Sequence, residues 1–340
     1  ARRLPDFFLN KIQSPVYPFE SPNFLPTAKN KQVSLMRSVL YNVLRLHKYM
    51  GSIRYIDRMI RQTDADVVVN FYELLTGLTY LLFRPKATMV CIAHQYLFLH
   101  PDFVFPKQST LSLASLRFFT RLTAIGSVKK LALSFRKMRE APLGGIVVVP
   151  PLLRQEVLDA VPSNGSYLHG YLLNSGFSEE IHSRHPSVPM HFFWDKKDQR
   201  AEVIIDDCLS FHQLDDTLFL RYMSGAKAYA TTAGFESVCE AMYLNKPVLM
   251  VPTHIEQACN AYDASLSGAG VVADCFDLDA LLSISESHVE NPVFRHWVKQ
   301  ADWLILREFR EDLLREEHPV TSLGRITTNW VVRLGRFLPI

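Results

Sequence analysis

Thr231-Thr232-Ala233-Gly234 places four small residues just ahead of two carboxylates, Glu236 and Glu240. An apolar run of strand length, Ala226–Ala230, precedes them. Phe235, Val238, Cys239 and Met242 follow at helical spacing, so a helix is expected over 235–245. Val248–Val251 then supplies the next strand of a β-α-β unit. No large side chain crowds the turn, and Gly234 would let the backbone bend or approach a ligand. The outward-facing amides at such a helix start, with the positive dipole end, suit a phosphate. Glu236 and Glu240 share a face with Tyr243, apart from the apolar stripe, where a carboxylate could accept hydrogen bonds from sugar hydroxyls. Taken alone, the unit is also satisfied by an ordinary helix start with two solvated glutamates.

The same alternation runs along the chain. Residues 33–62 read as a helix, striped by Leu35, Val39, Val43, Leu46 and Met50. Strands are expected at Val67–Val69, Thr88–Ala93 and Ile146–Val149, with helices over 74–83 and over 109–138. A second series begins after residue 165, with strands at Tyr167–Leu173, Met190–Trp194, Cys208–Phe211 and Val271–Ala273 and helices from Asp215, over 235–245 and over 255–266. Asp215 is expected to cap its helix. His169, inside a strand, is expected in the core. Residues 1–30 are proline-rich and aperiodic, and read as a connector. Two doubly wound α/β domains account for this order, with the change near 150–165. Ligands of such sheets bind at the carboxyl ends of strands, so the loops 174–177, 212–214, 231–236 and 252–257 would share one edge.

Composition narrows the function class. Of the 340 residues 48% are hydrophobic and 21% charged, which is a globular chain with room for a large core. A net charge of +3 is too weak to imply nucleic acid. The five cysteines form no CxxC pair and read as reduced and buried, with no metal site and a cytoplasmic setting. No apolar run reaches the length of a membrane span. Within 109–138, however, Leu111, Leu113, Leu116, Phe118, Phe119, Leu122, Leu131, Leu133 and Phe135 alternate with Arg117, Arg121, Lys129, Lys130, Arg136 and Lys137. An ordinary buried helix pair with a basic face would explain that, as would a patch meeting anionic lipid on the inner membrane face. The tail at 321–340 has a similar character.

Three runs in order, FHQLDD (211–216), TTAGFESVCEAMYLNKPVLMVP (231–252) and HIEQACNA (254–261), resemble the donor domain of GT-B glycosyltransferases. They are most similar to the branch that makes the N-acetylglucosaminyl lipid precursor of peptidoglycan. The resemblance covers roughly 165–275, and CIAHQYLFLHP (91–101) more loosely. It implies two Rossmann-like domains facing a cleft: an acceptor-side domain over 1–153, a nucleotide-sugar domain over 154–288, and carboxy-terminal helices over 289–340 that cross back. It implies that Glu240, with Glu236 nearby, holds the donor ribose, and that Thr232, Ala233 and Gly234 approach the diphosphate with Ser175 and Gly176. Glu256 and Gln257 would read the sugar hydroxyls, flanked by His254 and Asn260. His212, Gln213 and Leu214 would meet the nucleobase. His94 and Gln95 would face the acceptor cleft, with His94 the candidate general base.

The expected reaction moves a hexose from a nucleotide-sugar, most simply a UDP-sugar, to a lipid-linked or cell-surface glycan, with inversion. Helix-start amides can stabilise the leaving diphosphate, and no DxD pair sits at a convincing strand end, so no metal and no cofactor are expected. The family's first strand and Gly-rich loop have no counterpart ahead of Leu4, so an amino-terminal domain without its first β-α unit is expected, through either a fragment or loss of the element. Two other readings fit the residues: a nonhydrolysing UDP-sugar 2-epimerase, which needs no acceptor, and a nucleotide-sugar-binding protein that has lost catalysis.

Overall fold

The computed structural model describes residues 14–23, 40–141, 144–173, 175–194 and 200–313; the 321–340 tail lies outside them. Two compact units are present, residues 1–301 and 302–340, and both sheets belong to the first. In chain order the elements are α1 (Leu46–Gln62), β1 (Val67–Asn70), α2 (Leu74–Phe83), β2 (Thr88–Ala93), α3 (Thr110–Thr123), β3 (Ser127–Leu133) and β4 (Ile146–Val149). They continue with α4 (Gln155–Leu158), β5 (Leu168–Leu172), α5 (Ser178–Ser183), β6 (Met190–Trp194), β7 (Glu202–Ile204), β8 (Leu209–Gln213) and α6 (Asp216–Gly225). The last are β9 (Ala228–Thr231), α7 (Phe235–Tyr243), β10 (Val248–Met250), α8 (Ile255–Leu266), β11 (Gly270–Val272), α9 (Leu278–Ser287), α10 (Pro292–Val298) and α11 (Ala301–Leu313).

The first sheet has the order β1-β2-β3-β4, all parallel. The second has the order β11-β10-β9-β5-β6-β8-β7, parallel except where β7 pairs antiparallel with β8. The chain winds outward from β5 through β6 to β8, then returns to the other side of β5 with β9 and winds outward again. The strand order therefore reverses between β5 and β9, which opens a crevice at their carboxyl ends.

Burial explains why these runs become strands. β9 is wholly buried, and Phe192, Phe211, Leu249 and Val251 pack with Leu168, Leu172 and Phe276 into the core of the second sheet. The first sheet's core gathers Met89, Cys91, Tyr96, Phe98 and Ala132, and it also takes in Cys259 and Ile255 of α8. The two sheets thus share packing through α8. Arg136, just beyond β3, adds a 2.5 Å ion pair to the buried Asp263 of α8. Trp297 of α10 donates its indole N–H to the Ser134 carbonyl at 2.9 Å.

The all-helical stretch expected over 109–138 is not what forms. α3 stops at Thr123, and β3 occupies 127–133 in the middle of the first sheet. Gly126 makes the break: its φ is +85°, and a Cβ there would meet the Tyr80 side chain at 2.7 Å. Leu131, Leu133 and Phe135 are consequently core residues, whereas Leu111 and Phe118 stay exposed on α3. Two smaller departures concern the second sheet. β8 runs on through His212 and Gln213, and β7 pairs with it as an extra edge strand. Cys91, Cys239 and Cys259 are buried as expected, but Cys208 is half-buried and Cys275 exposed.

Asp215 caps α6, accepting from the Leu218 amide at 2.7 Å. His169 is fully buried between the rings of Tyr229, Phe193 and Phe219, and neither ring nitrogen has a hydrogen-bond partner. Desolvation pushes its pKa down to about 3, so the native state holds it neutral. A depressed histidine pKa leaves stability unaffected above its unfolded value near 6.5, and stability falls as pH drops from there toward the folded value. Urea melts between pH 7.5 and 4.5 are expected to show this decline, with each such histidine adding up to about 1.4 kcal/mol per pH unit. His169→Phe should shallow the slope; an unchanged slope would contradict the assignment.

Candidate active site at the strand-order reversal

The turn after β9 is built on an unusual backbone. Ala233 is buried and has φ 65°, in the left-handed region that L side chains rarely adopt. The sequence pattern points to Gly234 as the flexible residue, yet Gly234 has an ordinary φ of −64° and serves as the helix N-cap. Ala233 makes the bend instead. Because Gly234 has no side chain, none caps the first amides of α7. Those amides have no acceptor within the helix and point out at the reversal point. Across the reversal, β5 ends in a single-turn helix, Ser175–Phe177. Gly176 is half-buried there; the Ser175 side chain and Asn174 lie outside the described residues.

Behind the turn, Glu240 is largely buried with 12% of its side chain exposed. Its carboxylate is held by Arg154, from the segment that joins the two sheets. Nε donates to Oε1 at 2.8 Å and one terminal nitrogen to Oε2 at 3.3 Å. The same guanidinium pairs with Asp216 at the start of α6. Desolvation raises the Glu240 pKa and Arg154 opposes that rise, while Glu236 and Glu156 add to it. Glu236 is an exposed residue whose carboxyl is nonetheless raised by desolvation. Arg154 escaped the sequence reading. An arginine four residues past the Pro150-Pro151 strand end was its only mark.

The start of α8 faces the same turn. Asn260 is buried and its Nδ2 donates to the Ala233 carbonyl at 3.5 Å, while Oδ1 is buried without a partner. Gln257 is buried too, and its Oε1 accepts from the Thr253 amide at 2.9 Å and hydroxyl at 2.7 Å. Glu256 accepts from Gln95 Nε2 at 2.7 Å, which ties α8 to the end of β2. His254 stands at the N-cap position without a side-chain capping bond, and desolvation lowers its pKa against the pull of Glu256.

His94 follows β2 and is 2% exposed. Its ring stacks on Phe235, the first residue of α7, with centroids 4.0 Å apart and planes at 20°. Nδ1 lies 2.8 Å from the Leu133 carbonyl and must carry the proton to donate to it, which leaves Nε2 as the lone-pair nitrogen. Nε2 is buried with no partner, and desolvation lowers the pKa to about 4. This is a neutral imidazole in the tautomer a general base requires.

The structure therefore brings His94, Gln95, the 233–235 turn, Glu256 and Asn260 onto one face. His212 belongs elsewhere. Its ring stacks on Phe193, and Nε2 lies 2.9 Å from Ser210 Oγ and 3.3 Å from His191 Nδ1. The amides of Gln213 and Leu214 bond to the carbonyls of Ala201 and Trp194 within the sheet, and the Leu214 side chain is exposed. β8 stands three strand spacings from β9, about 14 Å. Glu73 is a helix cap, accepting from the Leu75 amide at 3.0 Å and the Ser21 hydroxyl at 2.8 Å.

Known proteins share this architecture. The kitacinnamycin glycotransferase superposes with a TM-score of 0.54 at 13% identity, over 88% of this chain and 86% of that one. Spinosyn forosaminyltransferase gives 0.51 at 12% identity, over 77% and 80%. UGT2 of Phytolacca americana, solved with UDP-2-fluoro-glucose and pterostilbene, gives 0.50 at 12% identity, over 79% and 81%. These likenesses identify the fold as GT-B. No curated protein matches in sequence. The sequence model of glycosyl transferase family 1 matches residues 21–285, spanning both sheets and the turn between β9 and α7, and the chain belongs to that family.

Proposed function

We propose that this glycosyltransferase moves a hexose from a nucleotide-sugar, most simply a UDP-sugar, to a lipid-linked or glycan acceptor, with inversion and without a metal. The carrying observation is the uncapped start of α7 at the β5/β9 reversal, with the Glu240 carboxylate one turn behind it. Amides there can receive the growing charge of the leaving diphosphate. Glu240 keeps lone pairs beyond those Arg154 uses, enough for a vicinal diol such as the ribose hydroxyls. Support for uridine comes from the family resemblance and from the UDP-2-fluoro-glucose in the Phytolacca americana structure.

Metal independence is favoured by where the acidic pairs point. Asp206 accepts from the Cys208 and Leu209 amides and pairs with His185. Asp215 caps α6, and Asp216 pairs with Arg154. A lipid-linked acceptor is favoured by α3, whose outer face carries Leu111, 77% exposed, and Phe118, 61% exposed, seven residues apart beside Arg121. Among the described residues no helix is long and apolar enough to cross a membrane.

His94 is assigned as the base that takes the acceptor proton. Its Nε2 lone pair is unprotonated at neutral pH and lies in the plane of the ring, so the Phe235 stack covers only the imidazole face, and it is the burial of Nε2 that an acceptor hydroxyl has to overcome.

Thermal unfolding against UDP, dTDP, GDP and ADP tests the donor site. One of them at 100 times its dissociation constant should add about 2.7 kcal/mol to the native state, and Glu240→Ala should abolish that. Equal stabilisation of the variant, or none by any nucleotide, would sink the donor assignment. In a transfer assay with excess EDTA, activity should persist, while His94→Gln should lower kcat by about 10²–10⁴-fold with donor binding retained. A His94→Gln enzyme as fast as wild type would remove the base. Flotation with anionic vesicles at low salt should carry the protein upward, and Leu111→Ser with Phe118→Ser should prevent it; lipid-independent sedimentation would exclude the membrane contact.

A further inference from the structure

Among the described residues, Arg154 is the strongly hydrogen-bonded cation at the donor edge that none of the roles above uses. It stands in the segment between the sheets, ahead of the short helix α4, and reaches across to two elements at once. On α7 it holds both oxygens of Glu240, and on α6 it pairs with Asp216. Its side chain is only 24% exposed, and Glu240 only 12%. A charge-assisted, two-point contact of this kind fixes the plane of a carboxylate as well as its position.

We propose that Arg154 is a positioning residue that orients Glu240 and keeps it ionised, so that its remaining lone pairs accept the vicinal diol of a nucleoside diphosphate. The inference rests on the donor-site reading above. The arrangement could also be a latch that the donor has to displace, but the stoichiometry of lone pairs argues against that. Each carboxylate oxygen has about two acceptor directions, and Arg154 occupies one on each. A diol can therefore be accepted without the guanidinium leaving.

The surroundings explain why a counter-charge is needed. Glu156 of α4, and Glu236 on α7 itself, place like charge near Glu240. The α7 thiol Cys239 and the β9 phenol Tyr229 are buried beside it and remain protonated, their pKa values raised by desolvation. β10 supplies only Val248, Leu249 and Met250. On α8, Glu256 is bound to Gln95 and Asp263 to Arg136. On α10, Arg295 bonds the Tyr243 carbonyl at the far end of α7 and pairs with Glu290. Arg154 is thus the cation bonded to the Glu240 carboxylate.

Arg154→Met and Arg154→Lys test this in the full chain. The first readout needs no ligand: the Glu240 carboxyl is titrated by 13C NMR of Glu-labelled protein, assigned with Glu240→Gln. Its midpoint should rise in Arg154→Met and return part of the way in Arg154→Lys. The second is calorimetric titration with whichever of UDP, dTDP, GDP and ADP binds the wild type, at pH 6 and pH 8. A carboxyl raised by one unit loses about tenfold in ionised fraction below its midpoint, so the affinity of Arg154→Met should fall on the acid side by up to about tenfold more than that of wild type. Glu240→Gln should bind weakly at both pH values. An unmoved carboxyl midpoint, or affinity in Arg154→Met that equals or exceeds wild type at both pH values, overturns the positioning role and in the latter case favours the latch. If the midpoint rises but no nucleotide binds the wild type, the donor reading fails and takes the diol-binding half of the proposal with it.

Discussion

The site depends on one backbone conformation. Ala233 adopts φ 65° at the end of a fully buried strand, a conformation that costs a non-glycine residue about 1–2 kcal/mol. Surrounding structure fixes it. The Thr231 carbonyl just before it receives the Val251 amide at 2.8 Å, and its own carbonyl receives Asn260 Nδ2 at 3.5 Å. From that bend come the outward amides of α7, the position of Glu240 one turn behind, and the place where Phe235 meets His94. Strain held at such a point by over-determined packing is a common property of functional turns.

The second dependency is the contact between the sheets. The His94–Phe235 stack, the Gln95–Glu256 hydrogen bond, the Arg136–Asp263 ion pair and the Trp297–Ser134 bond all join groups of the first sheet's edge to helices of the second. The first of them lies at the turn itself. The same contacts that complete the fold therefore control access to the candidate base. A buried imidazole is inert until its Nε2 is uncovered, and opening between the sheets is the motion that would expose it.

Much of this was legible in the residues. The small turn, the glutamate pair and the helix 255–266 stand where spacing placed them, because each is governed by local pattern and by burial of a single face. The reversal of strand order supplies a reason for their convergence that no local pattern holds. β3 was not legible. Val128-Lys129-Lys130-Leu131-Ala132-Leu133 continues the leucine phase of α3, and two lysines in a central strand run against pattern; only Gly126 marks the break. β7 is three residues long and half exposed, below the length at which alternation can be read. Arg154, and the partition of His212 away from the turn, depend on tertiary distances that sequence spacing does not contain.

Hydrogen–deuterium exchange of the full chain with and without a saturating nucleoside diphosphate tests the central claim most directly, since it locates the ligand without assuming a chemistry. Slowed exchange concentrated in the amides of 232–238, with a second protected stretch at 175–178, is the result this account predicts. Protection confined to the first sheet, or to β7 and β8 alone, would contradict it.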